Sequence, residues 1–310
     1  MKLKNFLPVI GIIIFIYIIF EIGIENIYKS FLLINPIFFL LASALIIPRV
    51  LLSSYKWLFI CKIQKINLPL SYITKIFLIS VFYGIVTPAS LGGYVSIFYI
   101  KKKANISYEK SITNSLLDAS TEFISGLFLA LMGSVFLIKE YPGIFSTLLF
   151  IFLFVLVIFI IFLRKEKGEF LFNLFILRFL PEKIKLVISK SFEKFYEDIP
   201  RFRDLLFPIF LEIIVWLIMG IQVYIIALGF GIDIPILKFI LVYIISFIAG
   251  IIPISTGGLG VREGALVFVL SVFSVNPQIA FVVSILGFVL TNLIPGSIGG
   301  FYSLKQKDGF

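Results

Sequence analysis

Three residues in one apolar stretch have side chains able to do chemistry. Asn114, Asp118 and Glu122, in "SITNSLLDASTEFISGLFLALMG", fall at i, i+4 and i+8. That spacing places all three on one face of a helix. Ser111, Ser115, Thr121 and Ser125 extend the same polar stripe. Carboxylates in so apolar a segment are costly and must face protein or water. A stripe of this kind can bind a proton, a cation or a cationic head group. It can equally be a satisfied hydrogen-bond network between helices, and both readings stand at this point.

A second constellation is "PISTGGLGVREGAL", Pro253 to Leu266. A glycine-rich turn opening a short helix presents free backbone N–H groups and the positive end of the helix dipole, which suits phosphate or carboxylate. Pro253, Ser255, Gly257, Gly258 and Gly260 would shape that turn, and Arg262 would clamp the anion with its planar fork. Glu263 would pair with Arg262 or reach another partner. The pattern Pro-x-Ser-x-Gly-Gly also occurs earlier, as Pro88, Ser90, Gly92 and Gly93 in "TPASLGGYV". A third copy, "PGSIGG" from Pro295 to Gly300, reads as small residues that permit close helix packing. Arg49, after Pro48, and Glu212 are further ionisable residues in apolar runs; either can snorkel or form a structural pair.

Composition decides what must position these groups. Only 14% of the 310 residues are charged, against about a quarter in a soluble domain, and mean hydropathy is +1.13. The expected fold is therefore an all-α polytopic membrane bundle forming a single domain over residues 1–310. Apolar segments fall near 6–22, 36–60, 73–87, 111–138, 144–163, 205–229, 239–252 and 277–303. The third and seventh are too short to cross roughly 30 Å of hydrocarbon, and each ends at a Pro-x-Ser-x-Gly-Gly. Broken helices are tolerated at membrane depth only where protein or a watery cavity satisfies the freed backbone. The resulting expectation is six full spans plus two oppositely oriented re-entrant hairpins.

Charge placement orients that arrangement. With both termini cytoplasmic, Lys29, Lys139 and Lys238 fall outside, and Arg49 and Arg262 fall within the membrane. Every other lysine and arginine, including Lys101 to Lys103, then falls inside. The net charge of +10 is thus read as topology rather than as a nucleic-acid surface. Residues 164–204 form a basic amphipathic segment suited to an anionic membrane surface, or a solvated connector. The chain has no histidine and one cysteine, Cys61, read as inert. Intrachain disulfides, Cys/His zinc sites and histidine-dependent triads are excluded. No nucleotide-binding loop is present, and neither a metal nor a cofactor is expected.

"TPASLGGYV" followed by the acidic pair, then "IPISTGGLGVREGAL" and "TNLIPGSIGG", resembles the flippase-like transmembrane family of the lysylphosphatidylglycerol synthases over nearly the whole chain. Where that family carries an acid and an arginine after the first glycine pair, this chain has Tyr94, Ser96 and Ile97. The family's acid-Arg-x-x-acid reads "DASTE" here, keeping Asp118 and Glu122 with Ala119 in place of arginine. The resemblance implies movement of a phosphate-containing, aminoacylated or glycosylated lipid between leaflets. It does not imply an enzyme, because the catalytic domains of the synthase and of related glycosyltransferases are missing. The implied partners are a membrane phospholipid or polyprenyl-linked lipid, and a second copy or a separate lipid-modifying enzyme. The second glycine turn and Arg262 would hold phosphate; Asp118 and Glu122 would hold a positive group or a coupling proton. Two rivals remain: a membrane-embedded head-group transferase using Asp118 or Glu122 as base, and a non-catalytic partner subunit.

Overall fold

The computed structural model describes residues 17, 20, 23–87, 90–165, 195–196, 199–251 and 257–305. The expected first span at 6–22 lies outside the described residues apart from Tyr17 and Phe20. Pro88, Pro253, Ser255 and most of the basic segment 164–204 also lie outside them. Twelve α-helices follow one another along the described chain: α1 (Ile24–Leu32), α2 (Pro36–Ala44), α3 (Ile46–Ile63), α4 (Leu70–Val86), α5 (Ser96–Ala104), α6 (Tyr108–Ser134), α7 (Pro142–Phe162), α8 (Phe202–Gly229), α9 (Ile236–Ile251), α10 (Val261–Ser271), α11 (Pro277–Phe288) and α12 (Ile294–Lys305). A 3₁₀ turn, Leu91–Val95, precedes α5, and a π-turn, Val289–Leu293, joins α11 to α12. No strand occurs among the described residues.

Local chemistry sets these boundaries. At α2, the Asn35 side chain accepts from the Ile37 N–H at 3.0 Å and Pro36 fills the first turn, a strong helix start. Pro48 has no N–H to offer the carbonyl of residue 44, and the chain breaks at Leu45 between α2 and α3. Ser107 caps α6 by accepting from the Lys110 N–H at 3.2 Å, and Asn276 caps α11 through the Gln278 N–H at 2.8 Å.

Five helical stretches are long and apolar enough to span a membrane: Pro36–Ile63, Tyr108–Leu137, Pro142–Phe162, Phe202–Gly229 and Pro277–Lys305. Two apolar helices fall short of a span, α4 with 17 residues and α9 with 16. These are the two expected to end at glycine turns. Each packs on the short helix that follows its turn, α4 on α5 and α9 on α10. The chain is an all-α polytopic membrane bundle. α7 is its most apolar span and is scarcely covered by protein, as a lipid-facing helix requires.

Small residues bring the remaining helices close. Gly126 of α6 sits against Trp216 and Ile248, Gly133 against the backbone of Leu241, and Gly220 of α8 against Ile240. The third glycine motif is part of this packing. α12 runs unbroken through it, and its glycine face lies on α4: a Cβ on Gly299 would collide with the backbone of Leu78 and Ile79, and one on Gly300 with the Phe82 ring. Two main apolar clusters result, with a third, small one around Ile27, Phe281 and Val282. The larger, around Trp216 and Tyr243, joins α6 and α8–α11. The smaller, around Trp57, Ile60 and Leu117, joins α3–α6.

Candidate functional site

A cavity of about 580 Å³ lies inside the bundle. Its lining includes Ser90, Gly93 and Tyr94 from the first glycine turn, Gly257 and Gly258 from the second, and Arg262 at the start of α10. The two turns therefore meet at one place, although they are far apart in sequence. α3 adds Arg49, Ser53 and Lys56, α6 adds Asp118 and Glu122, and α8 adds Glu212.

The centre of the site is an ion cluster. Lys56 Nζ lies 2.7 Å from Asp118 Oδ1 and 2.9 Å from Glu212 Oε2, and the lysine is only 3% exposed. One ammonium thus ties α3, α6 and α8 together. The charge-placement reading had put Lys56 on the cytoplasmic side; the structure corrects this and buries it in the bundle. Glu212, expected to snorkel or form a structural pair, forms the pair. Glu122 lines the cavity, and its backbone carbonyl accepts from Trp216 Nε1 at 3.2 Å.

Arg49 is held differently. In a regular helix the Thr291 carbonyl would accept from the N–H of residue 295, but residue 295 is proline and has none. Arg49 Nη2 donates to that carbonyl instead, at 2.6 Å, across a separation of 242 residues. The helix breaker of the third motif thereby creates a docking point for a buried cation. π-turns such as Val289–Leu293 recur at functional positions in helices.

The second turn is shaped by its backbone. Gly257, Gly258 and Gly260 have φ of +62°, +77° and +83°, a region that favours glycine. Gly258 also presses on the Gly250 carbonyl, where a Cβ would come to 2.9 Å. Arg262 pairs with Glu263, and its guanidinium lies over the Phe288 ring with 4.4 Å between the guanidinium carbon and the ring centroid. Glu263 Oε2 also accepts from the Gly260 N–H at 2.6 Å, the one half of a capping box open to a glycine at the N-cap. A side chain of the protein itself thus takes the anion's place at this helix start. Arg262, Gly257 and Gly258 face the cavity; Glu263 is fully buried behind them.

The remaining candidates serve packing. Asn114 is fully buried away from the cavity, accepting from Trp57 Nε1 at 2.9 Å and donating to Gln64 Oε1 at 2.8 Å. The hydroxyls of its stripe are likewise engaged: Ser111 donates to the Ile97 carbonyl at 2.6 Å, and Ser115 and Ser96 share a bond of 3.1 Å. The stripe is thus a helix–helix network at its start and a cavity wall further on. Gly92 lies beside rather than in the cavity wall; its N–H donates to Thr87 Oγ1 at 2.7 Å. Cys61 is buried against Asn114 Oδ1 at 3.6 Å.

Lys56 is the member of the site that sequence reasoning missed. Its signal was available, since Arg49, Ser53 and Lys56 follow i, i+4, i+7 spacing and share one helix face. Among the described residues, no group of three acidic or thiol side chains is placed to hold a metal ion.

Comparison with known proteins agrees with this architecture. A family model described as the lysylphosphatidylglycerol synthase TM region matches residues 8–299. A UPF0104 membrane protein of Methanocaldococcus jannaschii is 24% identical, covering 96% of this chain and 95% of its own. One from Pyrococcus horikoshii is also 24% identical, covering 98% and 97%, and one from Methanothermobacter thermautotrophicus is 22% identical, covering 88% and 87%. With nearly its whole length matched, the chain belongs to the family of lysylphosphatidylglycerol synthase transmembrane regions.

Proposed function

We propose that the protein is a lipid transporter that moves a phosphate-containing lipid between leaflets, with both termini cytoplasmic. One observation carries this reading: a single cavity, inside an apolar bundle, gathers two broken-helix turns and buried charges of both signs. Irregular backbone and ionised side chains inside a bilayer are sustained where they line a polar path. Paired broken segments meeting near mid-membrane are also how many secondary transporters build a substrate site. The head group crosses through the cavity while its acyl or prenyl chains remain in the bilayer. Glu122 faces any positive group on the lipid, and Lys56 holds the wall together. Lys101 lies over the Tyr108 ring at 4.4 Å and Lys103 over the Tyr72 ring at 5.7 Å, a basic and aromatic rim suited to the head-group layer. A gradient or mass action supplies the drive.

The test is a leaflet-accessibility assay in proteoliposomes. Lipids that co-purify with the protein are identified, a labelled form of the commonest is reconstituted, and its exposure to an external quencher is followed. Movement faster than in protein-free vesicles, and slowed by Glu122→Gln, is expected. If several co-purifying lipids cross no faster than in empty vesicles, the reading fails.

A further inference from the structure

Among the described residues, the charges at the cavity balance one another except for a single carboxylate. Arg262 pairs with Glu263, and Lys56 contacts both Asp118 and Glu212. Arg49 is the third buried cation; its contact is the Thr291 carbonyl, and no described carboxylate lies within ion-pair distance of it. Arg49 thus supplies the charge that the second carboxylate on Lys56 lacks, and the three cations are used up by Glu263, Asp118 and Glu212. Glu122 is a fourth carboxylate, and no cation remains for it. Its backbone carbonyl is bonded to Trp216, but its carboxylate makes no hydrogen bond or ion pair among the described residues.

Glu122 is also the most open of the charged residues that line the cavity. It is exposed, whereas Asp118 is partly buried and Arg49, Lys56, Glu212 and Arg262 are buried. The charges acting on it through space are Glu212 of α8, Lys56 and Arg49 of α3, and Asp118 one turn earlier on α6. The first glycine turn adds the Tyr94 phenol. Tyr243 of α9 lies instead among Arg262, Arg49 and Glu263, and α7, which also packs on α6, has no titratable side chain. Ala119, three residues before Glu122 and in the same cavity wall, offers only a methyl group.

With Glu122 ionised, the cavity has one surplus negative charge, and an anionic head group entering it adds another. With Glu122 protonated, the cavity is neutral and admits the anion without that repulsion. A metal cation in place of the proton would ask for several oxygens at once. Asp118 and Glu212 are held by Lys56, and no group of three acidic or thiol side chains is placed for a metal among the described residues. We infer that Glu122 is a proton-binding site, and that the cavity takes up a monoanionic head group together with one proton on that carboxylate. The inference rests on the transport reading for the source of the anion, and it names the gradient that drives the movement. A proton from water adds to a Glu122 oxygen as the anion enters, and both return to water or the head-group layer on the other side. Anion and proton tighten each other's binding by the same factor. The pair carries no net charge across the membrane.

Two measurements on the full chain test it. In detergent, binding of dihexanoyl phosphatidylglycerol, a diester of fixed charge, is followed from about pH 5 to about pH 9. Affinity should fall by up to about tenfold for each pH unit above the point at which Glu122 loses its proton, and no histidine is present to contribute. Glu122→Gln, neutral at every pH, should bind with the low-pH affinity throughout, and Glu122→Asp should keep the pH dependence. Ala119→Arg gives Glu122 a cation at i, i+3 and should remove the dependence too. Melting temperatures identify the variants that fold; if Glu122→Gln does not, Ala119→Arg carries the test. In proteoliposomes, a pH gradient should drive labelled phosphatidylglycerol toward the leaflet on the alkaline side, beyond its movement in protein-free vesicles. A potassium diffusion potential should not bias it. No diester binding at any pH, pH-independent binding, or a pH dependence that persists in folded Glu122→Gln overturns the proton site. Protein-dependent movement that the pH gradient does not bias overturns it as well and leaves transport standing. Glu122-dependent, pH-linked binding in a protein that moves no lipid would sustain the proton site and remove the transport reading.

Discussion

Replacing Lys56 with methionine removes an ammonium that contacts two buried carboxylates at 2.7 and 2.9 Å while keeping much of the side-chain volume. Breaking one buried ion pair by deleting a partner typically costs about 3–5 kcal/mol, because the remaining charge is left uncompensated. Here one deletion strands two carboxylates on two helices, so Lys56→Met should fall in the upper part of that range. The neutral triple variant Lys56→Met, Asp118→Asn, Glu212→Gln strands nothing and should recover most of the loss. The protein contains its own control in Lys29, paired with Glu25 at 2.7 Å but with both side chains largely exposed. Lys29→Met should cost less than about 1 kcal/mol. Reversible unfolding of the four proteins by dodecyl sulfate in mixed micelles measures the differences. The signal is available from the two tryptophans, Trp57 next to the deleted charge and Trp216 on α8. If Lys56→Met costs no more than Lys29→Met, or if the triple variant is no more stable than Lys56→Met, the ion cluster is not what fastens α3, α6 and α8.

Asp118→Asn and Glu122→Gln should part company: the first loosens Lys56 and lowers stability by about 1–3 kcal/mol, whereas the second leaves the melting temperature near wild type and slows lipid movement. The glycines of the first turn should also differ. A Cβ on Gly92 would run into the Tyr83 carbonyl and the Thr87 side chain, so Gly92→Ala should destabilise by about 1–3 kcal/mol, while Gly93→Ala, whose nearest neighbour is the Ser80 carbonyl at 3.5 Å, should be tolerated; detergent melting curves check both. For topology, single cysteines replacing Lys102 and Lys139 in a Cys61→Ser background should label with an impermeant maleimide from the cytoplasmic side and from outside respectively. External labelling at 102 contradicts the cytoplasmic placement.

The helices were legible because hydropathy is a local property. Runs such as "STLLFIFLFVLVIFIIFL" declare a span by length alone, and the shortness of α4 and α9 marked the two turns. Asp118 and Glu122 were legible for a related reason, since a carboxylate in an apolar run is conspicuous wherever it ends up. Lys56 was not. It lies near the end of an apolar run, where lysines normally reach for water, and its partners arrive from α6 and α8, about 60 and 150 residues further on. The contrast between Arg262 and Glu263 was equally tertiary: spacing brings the two together, but only the packing of α10 against α9 decides which one faces the cavity. The third motif shows a limit of reading prolines as stops, because at Pro295 the helix continues and the freed carbonyl is taken by Arg49.

The contact between α4 and the glycine face of α12 has a mechanical consequence. Where backbone rests on backbone, no side chain can swing to a new rotamer and absorb a displacement, so small relative slips break the contact rather than repack it. α4 and α12 are therefore constrained to travel as one rigid lever. The end of α4 is also gripped by the second turn, where a Cβ on Gly257 would stand 3.3 Å from the Ile85 carbonyl. Because α12 continues directly from the π-turn, a tilt of that lever shears the seat on which Arg49 and Arg262 rest. Movement of the first glycine turn and the docking of the two arginines are in this way geared to each other by two residues that have no side chain at all, Gly257 and Gly299.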